Sequence, residues 1–82
     1  MSEEAKNRPA PEEIETLRAL LIHGTVEHAA QALHVSPHTV DGRLDRLREK
    51  SGRHRTAQIV YWAVEHGYLR FEHAADLTPG GD

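Results

Sequence analysis

The chain has 82 residues, enough for one small domain near the lower size limit for folding without a disulfide, a metal or a partner. It contains no cysteine, which excludes a disulfide framework and a cysteine–zinc site, and it has no apolar run of membrane-spanning length. The net charge of −3 argues at first against a nucleic-acid partner, but six cations and only two acids lie between residues 43 and 55. This local basic zone is typical of small DNA-binding modules, and equally of a solvated helix face with ion pairs such as Asp45–Arg48 or Arg46–Glu49.

The two ends of the chain are predicted to be tails around a single domain at residues 10–71. Residues 1–9 are polar and charged, and residues 72–82 end in Leu-Thr-Pro-Gly-Gly-Asp, so we expect both tails to be flexible. Within the domain, a first helix is expected to begin at Pro11, because proline suits the first helical position, and to end at Gly24.

The middle of the chain predicts two helices joined by a tight turn. Thr25 is a candidate N-cap for a short second helix that ends near Leu33. His34 is then expected to adopt the left-handed conformation, which histidine tolerates better than most residues. Ser36 is the candidate N-cap of a third helix over residues 37–50.

The third helix carries a narrow apolar seam. Val40, Leu44 and Leu47 recur at the spacing of one helical face, so we expect this face to hold the helix against the domain and the opposite face to be free. This arrangement is that of a helix-turn-helix, whose second helix lies in a DNA major groove.

A fourth helix is predicted over residues 56–66. Thr56 is its candidate N-cap, and Gly67 is a natural residue to end it. We expect Tyr68, Leu69 and Phe71 to fold back onto the core after that end. No strand pattern is found, so the predicted fold is all-α with four helices.

The aromatic residues of the fourth helix allow two interpretations, core packing and a dimer contact. Ile59, Val60 and Ala63 suffice for a narrow packed stripe, which leaves an aromatic pair for a two-fold interface, although at least one of the pair is expected in the core. Dimerisation suits so small a module, because two half-sites multiply affinity. The candidate dimer-interface residues are Ile59, Tyr61, Trp62 and Glu65.

A set of apolar, small and capping residues recurs along the chain at characteristic spacings. It comprises Glu13, Leu17, Leu20, Leu21, Gly24, Ala30, Leu33, Val35, Ser36, Thr39, Val40, Leu44, Leu47, Lys50, Gly52, Ala57, Gln58, Val60, Ala63, Gly67 and Leu69. With these residues the chain resembles the C-terminal DNA-binding domain of LuxR-type (GerE/NarL-type) transcription regulators over about residues 11–69. The resemblance implies four helices, of which the third enters the major groove and the fourth often forms the dimer contact. Residues 16–40 also resemble the helix-turn-helix of PucR-type regulators, which lack the fourth-helix pattern.

The chain departs from the LuxR-type pattern at three places. The connection between the first two helices is about one residue short, and Asp41 and Asp45 stand where the family commonly has basic residues. A carboxylate is repelled by phosphates, although it can accept a hydrogen bond from a cytosine amino group. These departures bear on affinity and target sequence rather than on the fold. We expect the module to stand alone, without a receiver or ligand-binding domain.

The candidate DNA contacts lie on the third helix and in the loop that follows it. Arg43 and Arg46 are the strongest candidates, because a guanidinium can bind guanine O6 and N7 in bidentate fashion. Gly42 either lets the backbone approach the bases or is simply a tolerated surface glycine. The N-terminus of the third helix is a natural phosphate site. The full set is Ser36, His38, Thr39, Asp41, Gly42, Arg43, Arg46, Lys50, Arg53 and Arg55.

Other functional classes have weaker support in the sequence. No nucleophile–base constellation or phosphate loop is present, so we do not expect an enzyme, and no cofactor is implied. The seven histidines lack metal-ligand spacing. The expected function is sequence-specific binding of double-stranded DNA in transcription regulation, as a cytoplasmic, nucleoid-associated homodimer, with a regulatory protein as a further candidate partner and no membrane partner. The alternative is a protein-interaction module, an antagonist or transcription-complex adaptor, whose carboxylates at Asp41 and Asp45 abolish DNA binding.

Overall fold

The computed structural model describes residues 8–70. Residues 1–7 of the predicted tail at 1–9, Phe71 and the predicted tail at 72–82 lie outside the described residues. The described part is all-helical, which confirms the predicted fold class. No helix in this range is long and apolar enough to cross a bilayer. The four helices are α1 (Pro11–His23), α2 (Val26–Leu33), α3 (Pro37–Ser51) and α4 (Thr56–Glu65).

The ends of the helices follow from local hydrogen bonding. The Thr25 hydroxyl accepts a hydrogen bond from the His28 backbone N–H at 3.1 Å, and the Ser36 hydroxyl accepts one from the Thr39 N–H at 3.1 Å. Both predicted N-caps are therefore confirmed. The predicted cap of α4 is wrong: Arg55 occupies the N-cap position without a side-chain hydrogen bond, and Thr56 is the first helical residue.

The turn between α2 and α3 depends on His34, which has φ 61° and ψ 41°. In this left-handed conformation its N–H donates to the Gln31 carbonyl at 3.2 Å, and the Val35 N–H donates to the Ala30 carbonyl at 3.0 Å. These two bonds satisfy carbonyls that the end of α2 leaves free. The predicted left-handed histidine is confirmed. The turn changes the direction of the chain between α2 and α3.

The core lies where α1, α2 and α3 meet, and α4 covers one end of it. Leu17 of α1 and Ile59 of α4 are fully buried, and the small side chains of Ala29 and Ala30 let α2 approach its neighbours closely. The predicted seam of α3 is confirmed, because all three of its residues are buried. These seam residues are Val40, Leu44 and Leu47.

The chain folds back after α4, as predicted. Gly67, with φ 77°, donates to the Val64 carbonyl at 3.0 Å, and the Tyr68 N–H donates to the Ala63 carbonyl at 2.8 Å. The Tyr68 ring then lies 5.3 Å from the Trp62 ring, and Leu69 is buried. Packing also begins before the predicted boundary at residue 10. Pro9 is buried, and the Arg8 guanidinium lies 5.9 Å from the Tyr68 ring centre.

The left-handed conformation of His34 leads to a stability prediction. A non-glycine residue in this conformation carries a steric cost that glycine avoids. We expect His34→Gly to raise the free energy of unfolding by about 1 kcal/mol, measured by urea denaturation. His34→Ala is the matched control, because it removes the imidazole but keeps the Cβ, and it should not share the gain. Equal stability of the two variants would show that the backbone conformation is not the cause.

Candidate nucleic-acid interface

The third helix has one buried and one exposed face, as a helix that enters a DNA groove requires. Its aliphatic seam is buried against the rest of the domain, and the opposite face is covered by none of the described residues. No acid lies in its first turn. The exposed residues of α3 beyond Pro37 are His38, Asp41, Gly42, Asp45, Arg46 and Glu49.

The beginning of α3 is held by two hydroxyl groups. The Ser36 and Thr39 side chains lie 3.0 Å apart, and the Ser36 oxygen also caps the Thr39 N–H. Both predicted contact residues therefore help to fix the N-terminus of the helix. The positive end of the helix dipole and the exposed Ser36 lie at this corner of the domain. This corner is suited to a backbone phosphate.

Arg43 is turned towards α1 rather than away from the domain. Its Nη1 donates to the Thr16 hydroxyl oxygen at 3.2 Å, and Thr16 itself is buried, with its hydroxyl donating to the Glu12 carbonyl at 2.8 Å. The Arg43 side chain is half-buried. In this structure Arg43 therefore joins α3 to α1, and its role as one of the two strongest DNA contacts stays a prediction.

Lys50 is also engaged with a group of the protein itself. Its Nζ lies 2.7 Å from Oε1 of Glu13, a side chain of which only 2% is exposed. The same carboxylate oxygen accepts a hydrogen bond from the Ala10 N–H at 3.0 Å. Lys50 is thus the counter-ion of a buried acid, and its contact with DNA stays a prediction. Glu13 is the structural partner of Lys50, and in the sequence it stood out only as one of the residues of the LuxR-type resemblance.

A third cation of α3 is paired within the same stretch of chain. Arg48 Nη1 lies 2.8 Å from Asp45 Oδ1, and Arg48 Nε donates to the His54 carbonyl at 2.9 Å. The ion-paired face that the sequence left open as an alternative is therefore present at Asp45–Arg48. The other pair named there, Arg46–Glu49, does not form in the structure.

Two arginines of the predicted site remain available to a ligand. Arg46 on α3 and Arg55 at the start of α4 are exposed, and neither makes a side-chain hydrogen bond or ion pair with residues 8–70. Arg53 is half-buried, with Nη2 4.0 Å from Glu65 Oε1. The basic zone of the sequence therefore divides into cations that join parts of the fold and cations that face solvent.

The predicted dimer surface is only partly exposed. Ile59 is fully buried and Trp62 is 7% exposed, so both belong to the core of the single chain, and their assignment to an interface is corrected. The burial of Trp62 confirms the expectation that at least one of the aromatic pair packs in the core. Tyr61 is 66% exposed, and Val64 and Glu65 are also exposed. Tyr61 and Val64, three residues apart on α4, form an exposed apolar surface.

The arrangement of a short helix, a tight turn and a partly exposed second helix defines the class of the domain as a helix-turn-helix. A comparison with known families agrees: residues 14–59, more than half of the chain, match the PucR C-terminal helix-turn-helix domain. The chain therefore belongs to that family, and it has the helix-turn-helix of DNA-binding transcription regulators. The matching family is thus the PucR-type one, and not specifically the LuxR-type family that the residue pattern favoured. No curated protein and no solved structure matches the chain.

The Glu13–Lys50 pair makes a prediction that separates a structural role from a DNA contact. Lys50→Met leaves the Glu13 carboxylate buried without its counter-ion, so we expect the free energy of unfolding to fall by about 3 kcal/mol. The double variant Glu13→Gln/Lys50→Met removes both charges and keeps an acceptor for the Ala10 N–H, and it should recover most of the loss. Urea denaturation of the parent, of Lys50→Met, of Glu13→Gln and of the double variant completes this double-mutant cycle. A Lys50→Met variant as stable as the parent would contradict the structural role.

Proposed function

We propose that the protein is a sequence-specific regulator that binds double-stranded DNA by inserting α3 into the major groove. The observation that carries the proposal is the orientation of α3, whose seam is buried while its opposite face is exposed along the whole helix. The tight turn at His34 and the cap at Ser36 leave the first turns of α3 at the surface. These turns are the part of a recognition helix that contacts base edges.

The free cations support a division of labour at this surface. Arg46 lies on the outward face of α3, where it faces bases. Arg55 is the residue directly before α4. Arg55 and the N-terminus of α3 are placed to contact backbone phosphates. Phosphate contacts fix register and orientation, and base contacts select sequence. With few free cations, we expect modest affinity for unselected DNA.

Dimerisation through α4 is a further part of the proposal. The exposed surface formed by Tyr61 and Val64 is apolar, and aromatic residues are enriched in protein interfaces. Two copies related by a two-fold axis would place two α3 helices on half-sites of a palindromic duplex. The fourth helix also carried the LuxR-type resemblance, and most of it lies beyond the matched range. We propose as well that the protein is related to the LuxR-type regulators and that it is not an enzyme. We also propose that it is found in the cytoplasm, associated with the nucleoid.

A specific observation favours a second candidate function, a protein-interaction module. Asp41 and Glu49 are exposed on the same face as Arg46, and neither has an ion-pair partner among residues 8–70. Three of the four cations of α3 are engaged with groups of the protein itself. These cations are Arg43, Arg48 and Lys50. Such a face also suits a basic protein surface. In that case the protein would act as an antagonist or an adaptor without touching DNA.

The double variant Arg46→Ala/Arg55→Ala distinguishes the two candidates. It removes the free cations, so we expect its affinity for duplex DNA to fall at least about tenfold, while its helical content stays unchanged. Fluorescence anisotropy and circular dichroism measure these quantities. Arg8→Ala is a control for the loss of positive charge, because it removes one arginine at the other end of α4. If the double variant binds duplex DNA as the parent does, α3 does not use these arginines in the groove, and the proposal is wrong.

The dimer proposal has its own test. Tyr61→Glu places a charge in the apolar surface of α4, so we expect the dimer to dissociate into monomers in sedimentation equilibrium. Gln31→Glu, on the exposed side of α2, adds the same charge elsewhere and should leave the dimer intact. A parent protein that sediments as a monomer on its DNA as well as alone would exclude an α4 dimer.

A further inference from the structure

Gly42 is the residue of α3 whose identity the fold does not explain. Its φ lies in the ordinary negative range, unlike that of Gly24, Gly52 and Gly67. A Cβ built on Gly42 would meet no atom within 4 Å. Neither backbone geometry nor packing among the described residues therefore requires glycine, and glycine lowers helix stability more than any residue except proline.

Arg46 lies one turn after Gly42 on the same exposed side of α3. Long side chains on a helix lean towards its N-terminus and over the residue four positions earlier. A side chain as long as that of Arg46 can therefore reach the surface above Gly42, which no atom occupies within 4 Å of a Cβ built there. Its guanidinium makes no hydrogen bond or ion pair with residues 8–70, so all of its donors are available. The two residues together form a bare strip of helix backbone beside a free planar donor.

We propose that Gly42 and Arg46 form a guanine-recognition site. The inference rests on the proposed function, because it requires α3 to lie in the major groove. Guanine presents its N7 and O6 acceptors there, and the guanidinium fork can bind both. The missing side chain at Gly42 lets the helix backbone come close to the base pair, which brings Arg46 within reach of the guanine edge.

The surrounding charges favour a base over a phosphate as the partner of Arg46. Asp41 and Glu49 flank it with exposed carboxylates, which repel the phosphate backbone. Asp45 is balanced by Arg48 at 2.8 Å and adds less to this repulsion. Because the acids weaken binding to any duplex equally, the guanine contact accounts for a larger share of the affinity for the target than for other DNA.

The experiment uses the full chain and a pool of duplexes with a random core. From the duplex that the protein selects, variants are made in which one guanine at a time is replaced by 7-deazaguanine, which pairs normally but lacks the N7 acceptor. At one guanine in each half-site we expect the parent to lose about tenfold in affinity. Arg46→Ala should lose a similar factor on the unmodified duplex and should not respond to the modified base. Arg55→Ala, a matched arginine variant, should be weaker overall but still respond.

Gly42→Ala tests the other half of the site. Alanine is the better helix former, so the melting temperature should rise by about 4–8 °C. Affinity for the selected duplex should nevertheless fall, because the new methyl group holds the helix away from the base pair. A variant that is more stable and binds like the parent would show that the glycine is only tolerated there.

The outcomes separate this inference from the function on which it rests. If a duplex is selected and bound but no modified guanine depends on Arg46, the guanine site is overturned and DNA binding stands. If no duplex is enriched from the pool, the proposed function fails and the site fails with it. The expected result is that the effect of modifying one guanine on affinity disappears in Arg46→Ala. Gly42→Ala is expected to be more stable than the parent and to bind the selected duplex more weakly.

Discussion

The contact between α1 and α3 is the interaction on which the rest of the structure depends. It has an apolar part, in which the seam of α3 packs beside Leu17, and two polar contacts beside that seam. Arg43 bonds to Thr16 near the middle of α3, and Lys50 pairs with Glu13 near its end. The polar contacts fix the rotation of α3 about its own axis, which a smooth apolar seam alone specifies less sharply. That rotation decides which side chains a groove would meet.

The same contact decides how the charge of the protein is used. Glu13 is buried, and a buried carboxylate needs a cation and hydrogen bonds to be tolerated. Lys50 and the Ala10 N–H provide them. A cation used in this way is no longer available to phosphates. The dense basic zone of the sequence therefore overstates the positive charge that the surface presents.

Local features of the fold could be predicted because they depend on neighbours in sequence. The caps at Thr25 and Ser36, the left-handed His34 and the seam of α3 follow from residue type and helical spacing. Arg46 does not share the face of the seam, and it is exposed, as expected for the opposite face of α3.

The contacts that engage Arg43 and Lys50 within the fold join residues far apart in the chain. Thr16 and Arg43 are separated by 27 positions, and Glu13 and Lys50 by 37. Their meeting depends on how α1 crosses α3, and the periodicity within each helix carries no information on that crossing. Trp62 differs from both groups, because its burial follows from the fold-back of Tyr68 over the end of α4. The apolar stripe of α4 by itself was enough to predict a complete core, and the sequence therefore placed Trp62 among the candidate interface residues.

Stability and recognition make opposite demands on α3, and the structure shows where each is met. At residues 43, 48 and 50 the helix is held to the domain, and every cation there has a partner within the protein. At Gly42 and Arg46 the helix has a poor helix former and an unpaired charge, neither of which benefits the folded chain. Residues that lower the stability of the fold and have no structural role are concentrated at functional sites. The exposed side of α3 is where this molecule places them, and that is the side a helix-turn-helix turns towards its ligand.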